Sequence, residues 1–209
     1  MNAYEIVDAF EETVAEYAGA RYGVAVNSCT SALMLSCRLR LRTGFYILLS
    51  DNRVSVPRFT YVGVAQAIKE AGGYCEFTNA QWVGGYWLSP LAIFDGARRF
   101  SRGMYSHGLH CLSFHAYKHI NIGRGGMILT DDIEERDHLR KMRHDGRTPG
   151  VAPKDDIFTP GWHVGLTPEE AARGLMLMAN AKDRYEDLPW DEYADLSKTE
   201  WFTKPGGLS

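Results

Sequence analysis

The residues best suited to chemistry stand between Cys111 and Met127, in the run CLSFHAYKHINIGRGGM. An apolar segment leads into Ser113, and Lys118 follows five positions later, ahead of a glycine-rich turn. A lysine in an apolar, aromatic neighbourhood loses basicity through desolvation, and its amine then becomes a nucleophile suited to a Schiff base. A lysine on a solvated loop carries no such chemistry, so this run alone leaves both interpretations open.

Two further segments place polar groups where a predicted strand ends. The segment NSCTS at positions 27–31 lies between a strand and a helix, where backbone N–H groups and hydroxyls could bind a phosphate. Asp95 directly follows the apolar positions 91–94 and could act as a base, pair with a cation or bind a metal. Ordinary roles stay open for both, because serine and threonine are common helix N-caps and Asp-Gly is a common turn.

A group of histidines raises the question of a zinc site. The potential ligands are His107, His110, Cys111, His115 and His119. Their spacing does not match a zinc finger, and no second pair of ligands follows. We therefore expect no metal ion, and we expect these histidines to pack within loops.

Helices and short apolar strands alternate along the chain and must position these groups. Helical spacing and helix-start signals predict helices at 4–18, 32–40, 61–70, 132–144 and 167–185. Strands are predicted at 22–26, 46–49, 53–56, 74–77, 91–94, 109–113 and 126–130, with a loop or hairpin at 79–90. This alternation is typical of an α/β fold with a mostly parallel sheet covered on both faces, whose ligands bind at the carboxyl ends of the strands.

Composition narrows the class of protein further. The 209 residues, 45% of them hydrophobic, suffice for one core of ordinary domain size. A formal net charge of −3 gives no sign of nucleic-acid binding, although nucleic acid as a substrate stays open. The four cysteines form no CxxC pair, the N-terminus lacks the features of a signal peptide, and no apolar run approaches membrane-spanning length. We expect a reduced cytoplasmic protein that does not engage a membrane.

Several stretches, in order, resemble the DegT/DnrJ/EryC1/StrS family of pyridoxal-phosphate (PLP) enzymes, best known as sugar aminotransferases. They are FEETVAEYAGARYGVAVNSCTSAL at 10–33, positions 56–73, FDGA at 94–97 and positions 113–147, with a weaker match at 161–184. The most specific part is SFHAYKHINIGRGGMILTDD, which begins at Ser113. The resemblance implies a three-layer αβα fold, a trimmed large domain of the aspartate aminotransferase type.

The resemblance also implies a domain organisation. Residues 1–186 would form a single PLP-binding large domain, and residues 187–209 a tail that packs on it. Between Thr78 and Leu91 the chain is much shorter than the family, and nothing after Tyr185 resembles the family's small C-terminal domain.

Roles for individual residues follow from the same resemblance. Lys118 matches the lysine that holds PLP as a Schiff base and moves the proton at the substrate's Cα. Asp95 matches the acid that pairs with the pyridinium nitrogen, and Tyr61 matches the aromatic residue that stacks on the ring. Cys29, Thr30 and Ser113 match the residues that bind the phosphate of PLP, and Cys29 replaces the usual glycine. Ser31 would add a further hydroxyl.

Some positions depart from the family pattern. Arg98 stands where the family usually has glutamine, near the phenolic oxygen of PLP, where a guanidinium would stabilise the phenolate. Arg124 replaces the usual glutamate. His163 and Gly165 stand where asparagine and arginine are typical. In the family, that asparagine and that arginine reach the phosphate of a neighbouring subunit. The resemblance thus implies a homodimer, while these two residues put that particular contact in doubt.

Without the small domain, recognition of a substrate carboxylate must come from another part of the chain. Arg99, Arg102 and Arg147 are candidates, and ordinary surface positions are the alternative for all three.

Three functions remain open on the sequence. The first is an aminotransferase acting on a nucleotide-linked or small-metabolite substrate. The second is a PLP-dependent decarboxylase, or another lyase acting at Cα, on an amino acid such as one attached to a nucleobase in hypermodified phage DNA. The third is an inactive PLP-binding or structural remnant. The joint presence of Lys118, Asp95, Ser113 and Tyr61 favours an enzyme.

Overall fold

The computed structural model describes residues 4–42, 52–148, 150–189 and 193–204. The helices in these ranges are α1 (Glu5–Ala18), α2 (Cys29–Arg42), α3 (Val62–Glu70), α4 (Ile133–Met142), α5 (Pro168–Met178) and α6 (Glu200–Thr203). The strands are β1 (Tyr22–Val26), β2 (Arg53–Pro57), β3 (Tyr74–Thr78), β4 (Tyr86–Leu88), β5 (Ile93–Asp95), β6 (Leu109–Ser113) and β7 (Gly126–Thr130). The predicted strand at 46–49 lies outside the described residues. No helix within the described ranges is long and apolar enough to cross a membrane.

The limits of the helices follow from local signals in most cases. α1 ends at Gly19, whose φ of 83° is the left-handed conformation that glycine adopts readily. α5 begins with a capping box between Thr167 and Glu170. It ends at Met178, well before the predicted end at residue 185. After Met178 the backbone hydrogen bonds change to a three-residue spacing, as from Ala181 N–H to the carbonyl of Met178 at 3.0 Å. Beyond that turn, the hydroxyl of Tyr17 donates a 2.5 Å hydrogen bond to the carbonyl of Lys182.

Five strands form the central sheet in the order β1-β7-β6-β5-β4, and β2 pairs with β3 beside it. The backbone N–H of Ser55 donates to the carbonyl of Ser89 at 2.8 Å and joins the two sheets. The proportion of parallel pairing is lower than predicted, since among the strands of the described residues only β5–β6 and β2–β3 are parallel. Four residues join β4 to β5, and a loop without a helix joins β6 to β7, so both pairs are antiparallel.

Alternate side chains of the central strands enter two separate cores, one on each face of the sheet. On β1, Val24 and Val26 pack with residues of α2, α3 and α4, whereas Ala25 packs with residues of α1 and α5. On β7, Ile128 belongs to the first core and Met127 to the second. The sheet therefore lies between two layers of helices, which confirms the predicted αβα fold.

Candidate active site

A cavity of about 280 Å³ opens where β5 and β6 end, against the first turn of α2. Seven of the eight predicted site residues line it, namely Cys29, Thr30, Tyr61, Asp95, Arg98, Ser113 and Lys118. The eighth, Ser31, is not among the lining residues. Its hydroxyl donates to Asn27 Oδ1 at 2.7 Å and lies 2.9 Å from the hydroxyl of Ser28, so it braces the start of α2.

Asp95 lies at the end of β5 and is only 6% exposed. The hydroxyl of Tyr86, its partner across the β4–β5 pair, donates to Oδ2 at 2.9 Å, and the N–H of Ala97 donates to Oδ1 at 3.0 Å. Thr60 Oγ1 in turn lies 2.5 Å from the Tyr86 hydroxyl. Burial raises the pKa of Asp95, while these donors and the charges of Lys118 and Arg98 act in the opposite direction.

Close packing of backbone brings the predicted phosphate cradle together. Ser113 pairs with Gly126 in the β6–β7 register, and a Cβ at Gly126 would lie 2.5 Å from the carbonyl carbon of Ser28. Because Gly126 has no side chain, the start of α2 can approach the end of β6 closely. A helix N-terminus attracts anions through its unpaired N–H groups and its dipole. Burial raises the pKa of the Cys29 thiol well above its usual value, so the thiol adds no negative charge there.

The loop between β6 and β7 positions Lys118. Hydrogen bonds from Phe114 N–H to the carbonyl of Gly125 (3.0 Å) and from Ala116 N–H to the carbonyl of Gly123 (3.1 Å) continue the hairpin beyond the strands. The N–H of Lys118 then donates to the carbonyl of His115 at 2.9 Å, which closes a tight turn. Lys118 is thus held on an ordered turn at the cavity that Asp95 also lines.

The donor set of this cavity fits PLP. Lys118 supplies an amine for the aldehyde, Asp95 a buried acid for the ring nitrogen, and the α2 N-terminus with Ser113 a place for the phosphate. Tyr61, 55% exposed at the N-cap of α3, presents an aromatic side chain at the same cavity. The individual roles stay predictions, and the geometry is compatible with all of them.

Several residues of the cavity were missed by the sequence analysis. Trp82 lines it, donates from Nε1 to the carbonyl of Phe59 at 3.0 Å, and packs edge-to-face on Tyr86. The hairpin predicted at 79–90 was the signal that could have placed Tyr86 opposite Asp95. Tyr193, from the far end of the chain, also lines the cavity, and no local pattern marked it.

The three arginines proposed for a substrate carboxylate do not line the cavity. Arg99 binds Asp187 through two N–H groups, and Arg102 Nε binds Asp183 at 2.7 Å. Arg124 does line it, with 63% of its side chain exposed and its Nε 3.1 Å from Glu170.

His163 and Gly165, at the positions that reach a neighbouring subunit's phosphate in the family, do not line the cavity. His163 is exposed and pairs with Asp145 at 3.1 Å, and Gly165 forms a β-bridge to Val26.

The histidines considered for zinc have other surroundings. His107 stacks on Trp87, with ring centroids 4.4 Å apart, and His119 Nε2 lies 2.8 Å from the carbonyl of Glu186. Burial lowers the pKa of His110 to about 4, so its ring is neutral near pH 7. In the part of the chain that the structure describes, no three His, Cys, Asp or Glu side chains are placed to hold a metal ion.

Solved structures with the same fold include an aminotransferase and a dehydratase. AtS13 from Actinomadura melliaura superposes with a TM-score of 0.70 at 19% identity, over 84% of this chain and 60% of that one. Helicobacter pylori PseC, an aminotransferase of pseudoaminic acid biosynthesis, gives 0.65 at 18% identity, over 82% and 56%. GDP-4-keto-6-deoxymannose-3-dehydratase (ColD), solved with GDP-perosamine, gives 0.67 at 18% identity, over 84% and 60%. At these identities the likeness establishes the fold, and this chain spans about 60% of their length or slightly less.

A match at the level of the sequence family is more specific. The sequence model of the DegT/DnrJ/EryC1/StrS aminotransferase family matches residues 1–82 and 102–186. The unmatched stretch 83–101 holds β4 and β5, and with them the predicted site residues Asp95 and Arg98. The matched ranges include Lys118, Ser113 and the start of α2, and PLP is the cofactor used in this family. The chain therefore belongs to the DegT/DnrJ/EryC1/StrS aminotransferase family, as its sequence motifs predict.

Proposed function

We propose that the protein is a PLP-dependent aminotransferase that acts on a nucleotide-linked or other small amine-bearing metabolite. The observation that carries the proposal is the placement of Lys118 and the buried Asp95 in one cavity beside the N-terminus of α2. Family membership supports the cofactor, and the PseC structure supports a sugar-linked substrate by analogy.

The cofactor, when bound, supplies an electron sink for the bond that breaks at the substrate's Cα. The residues of the chain do the remaining work. The amine of Lys118 accepts the proton from Cα and returns it during transfer of the amino group. Asp95 holds positive charge at the ring nitrogen, and its hydrogen bonds from Tyr86 and Ala97 keep the carboxylate in place. Tyr61 and Trp82 add aromatic side chains to the wall of the cavity.

No contact among the described cavity residues specifically favours a decarboxylase acting on a nucleobase-linked amino acid, or an inactive remnant. Arg124 is the cationic side chain that best suits an anionic group of a substrate, because it reaches the cavity while much of it stays exposed. A carboxylate or a phosphate of a nucleotide-linked substrate could bind there.

We also propose a homodimer located in a reducing cytoplasm, built from a large domain of residues 1–186 with a C-terminal tail. Apolar side chains stand exposed near the cavity and in the segment that follows α4, and a second copy could cover them. They include Tyr117, which is 85% exposed, Ile157 and Phe158. All four cysteines are free thiols, in keeping with a reducing compartment. Light scattering of the active protein would test the dimer, since a fully active monomer would contradict it.

The cofactor and its lysine are tested by absorbance. Wild type incubated with PLP should absorb at about 410–430 nm, the range of a protonated Schiff base, and Lys118→Ala should not. Lys154→Ala, which alters an exposed lysine, is the matched control and should behave as wild type. Visible absorbance that survives in Lys118→Ala would overturn the assignment of this lysine.

The reaction is tested on the loaded protein with candidate amino donors. Accumulation of the pyridoxamine form of the cofactor without an added keto acid is the expected result. Release of CO₂ with the cofactor left as PLP would instead establish a decarboxylase.

A further inference from the structure

Residues 187–189 and 193–196 of the C-terminal segment contact the chain at or beside the cofactor cavity. On one side, the N–H of Leu188 donates to the carbonyl of Arg98 at 2.9 Å, and Asp187 binds the guanidinium of Arg99. On the other side, the N–H of Leu196 donates to the carbonyl of Arg58 at 3.0 Å. Tyr193 lies between these two anchors and lines the cavity.

Both anchors are closely packed. At the first, Gly84 has a φ of 74°, and a Cβ there would lie 2.3 Å from the carboxyl group of Asp187, so the tail packs directly on a glycine. At the second, the side chains of Leu196 and Phe202 are buried, and Phe202 packs edge-to-face on Phe77. The segment is therefore held on both sides of Tyr193.

The position of the Arg98 guanidinium depends on this segment. Its Nε and Nη2 donate to the hydroxyl of Tyr193 at 3.2 and 3.0 Å, and its Nη1 donates to the carbonyl of Pro189. The ring of Tyr193 stacks on Trp82, with centroids 6.3 Å apart and planes 15° from parallel. Arg98 is itself almost fully buried, so these acceptors satisfy much of its hydrogen-bonding need.

We propose that Tyr193 is a positioning residue that fixes the Arg98 guanidinium inside the cofactor cavity, so that its positive charge acts on the bound cofactor. The inference rests on the proposed function, since it assigns Arg98 an electrostatic effect on PLP. A charge acts in inverse proportion to distance, and a planar guanidinium keeps its orientation only while its acceptors hold it. Tyr193, near the C-terminal end of the described residues, thus contributes to the wall of the cavity and holds one of its cationic side chains.

The effect has a defined sign. A cation close to the cofactor favours the form of bound PLP that has lost a proton. It therefore lowers the pH at which the visible absorbance of bound PLP changes from one form to the other. A substitution that lets the Arg98 guanidinium move away from its position should raise the pH of that change in absorbance.

The experiment uses Tyr193→Phe, which keeps the ring on Trp82 and removes only the hydroxyl. We expect PLP to bind about threefold to tenfold more weakly and the absorbance midpoint to move to higher pH. Tyr22→Phe is the matched control, because Tyr22 also lies beneath an arginine, Arg136, but at the end of β1 away from the cavity. It should leave both quantities unchanged.

A double-mutant cycle tests whether Tyr193 acts through Arg98. In an Arg98→Gln background the Tyr193→Phe change should have no further effect on the midpoint. An equal shift in both backgrounds, or no shift in Tyr193→Phe alone, would overturn the inference. Asp187→Asn, which loosens the tail without touching Arg98, should shift the midpoint in the same direction and serves if Tyr193→Phe is poorly folded. Failure of the proposed function is distinct, because wild type would then show no PLP absorbance at all.

Discussion

Glu11 and Asp95 are both carboxylates that the fold buries, and the groups around them differ. Glu11, on α1, is 1% exposed, accepts a 2.7 Å hydrogen bond from the N–H of Ala25, and pairs with Arg140 and Arg143. Asp95 accepts hydrogen bonds from two neutral donors, the hydroxyl of Tyr86 and the N–H of Ala97, and it lines the cavity.

The kinds of group around the two carboxylates distinguish a structural role for Glu11 from a role in the site for Asp95. The chain itself supplies the positive charge for Glu11, and the resulting network ties α1 to β1 and to the end of α4. Asp95 is oriented by neutral donors and opens to a cavity into which a cation could enter from outside the chain. A buried carboxylate that is oriented in this way, at a cost in desolvation, is typical of a binding or catalytic site.

The largest expected effect concerns folding. Glu11→Gln leaves the guanidinium of Arg143 buried without its charged partner, which should lower the free energy of unfolding by about 3–5 kcal/mol. Urea denaturation of the apo-protein measures this. PLP binding at temperatures where the variant is folded should be unchanged.

The control is Asp137→Asn, which removes the exposed pair with Arg136 and should cost about 0–1 kcal/mol. If Glu11→Gln were no more destabilising than this exposed change, the structural role of Glu11 would be wrong.

The next largest effect concerns the reaction. Asp95→Asn keeps the shape of the side chain but removes its charge, and we expect kcat/KM to fall by about a hundredfold to a thousandfold. The fold should persist, since the amide can still accept the hydrogen bond from Ala97. Steady-state kinetics of the PLP-loaded variant checks this, and near-normal activity would refute the role of the carboxylate.

The smallest effect is a dependence of stability on pH. Burial raises the pKa of Asp95 above its usual 3.8, so the folded apo-protein binds its proton more tightly than the unfolded chain does. The contribution of Asp95 to stability is therefore lost as the pH rises through its folded pKa. Apo Asp95→Asn should be modestly more stable than apo wild type at pH 7, and the gain should vanish below about pH 3.9. Urea titrations at both pH values would contradict this if the gain grew on acidification.

The parts of the fold that rest on local signals could be predicted from the sequence. The apolar runs at β6 and β7, the glycine that ends α1 and the capping box that begins α5 act within a few positions. β6, β7 and α1 form where they were expected, and α5 begins where it was expected. Lys118, Asp95 and Ser113 could be placed because each follows directly from a strand or its loop.

The features that depend on distant contacts could not be predicted. The segment that follows α5 is bound by the hydroxyl of Tyr17, 165 positions away from its acceptor, Lys182. Tyr193 reaches Arg98 across 95 positions, and its own surroundings in sequence show no periodicity. Pairing direction was also misjudged, because the limits of β6 and β7 do not show whether the connection between them crosses over or folds back. It folds back as a hairpin through backbone hydrogen bonds such as the one from Phe114 N–H to the carbonyl of Gly125.

Gly84, on which Asp187 packs, can be used to compare this sequence with others of the family. Any side chain at position 84 would collide with Asp187, so a chain that wraps its tail in this way must have glycine there. Gly84, Arg99 and Asp187 together form a three-residue signature that can be searched for in other short sequences of the family. Sequences that carry it would be expected to hold the segment around position 187 against the same glycine.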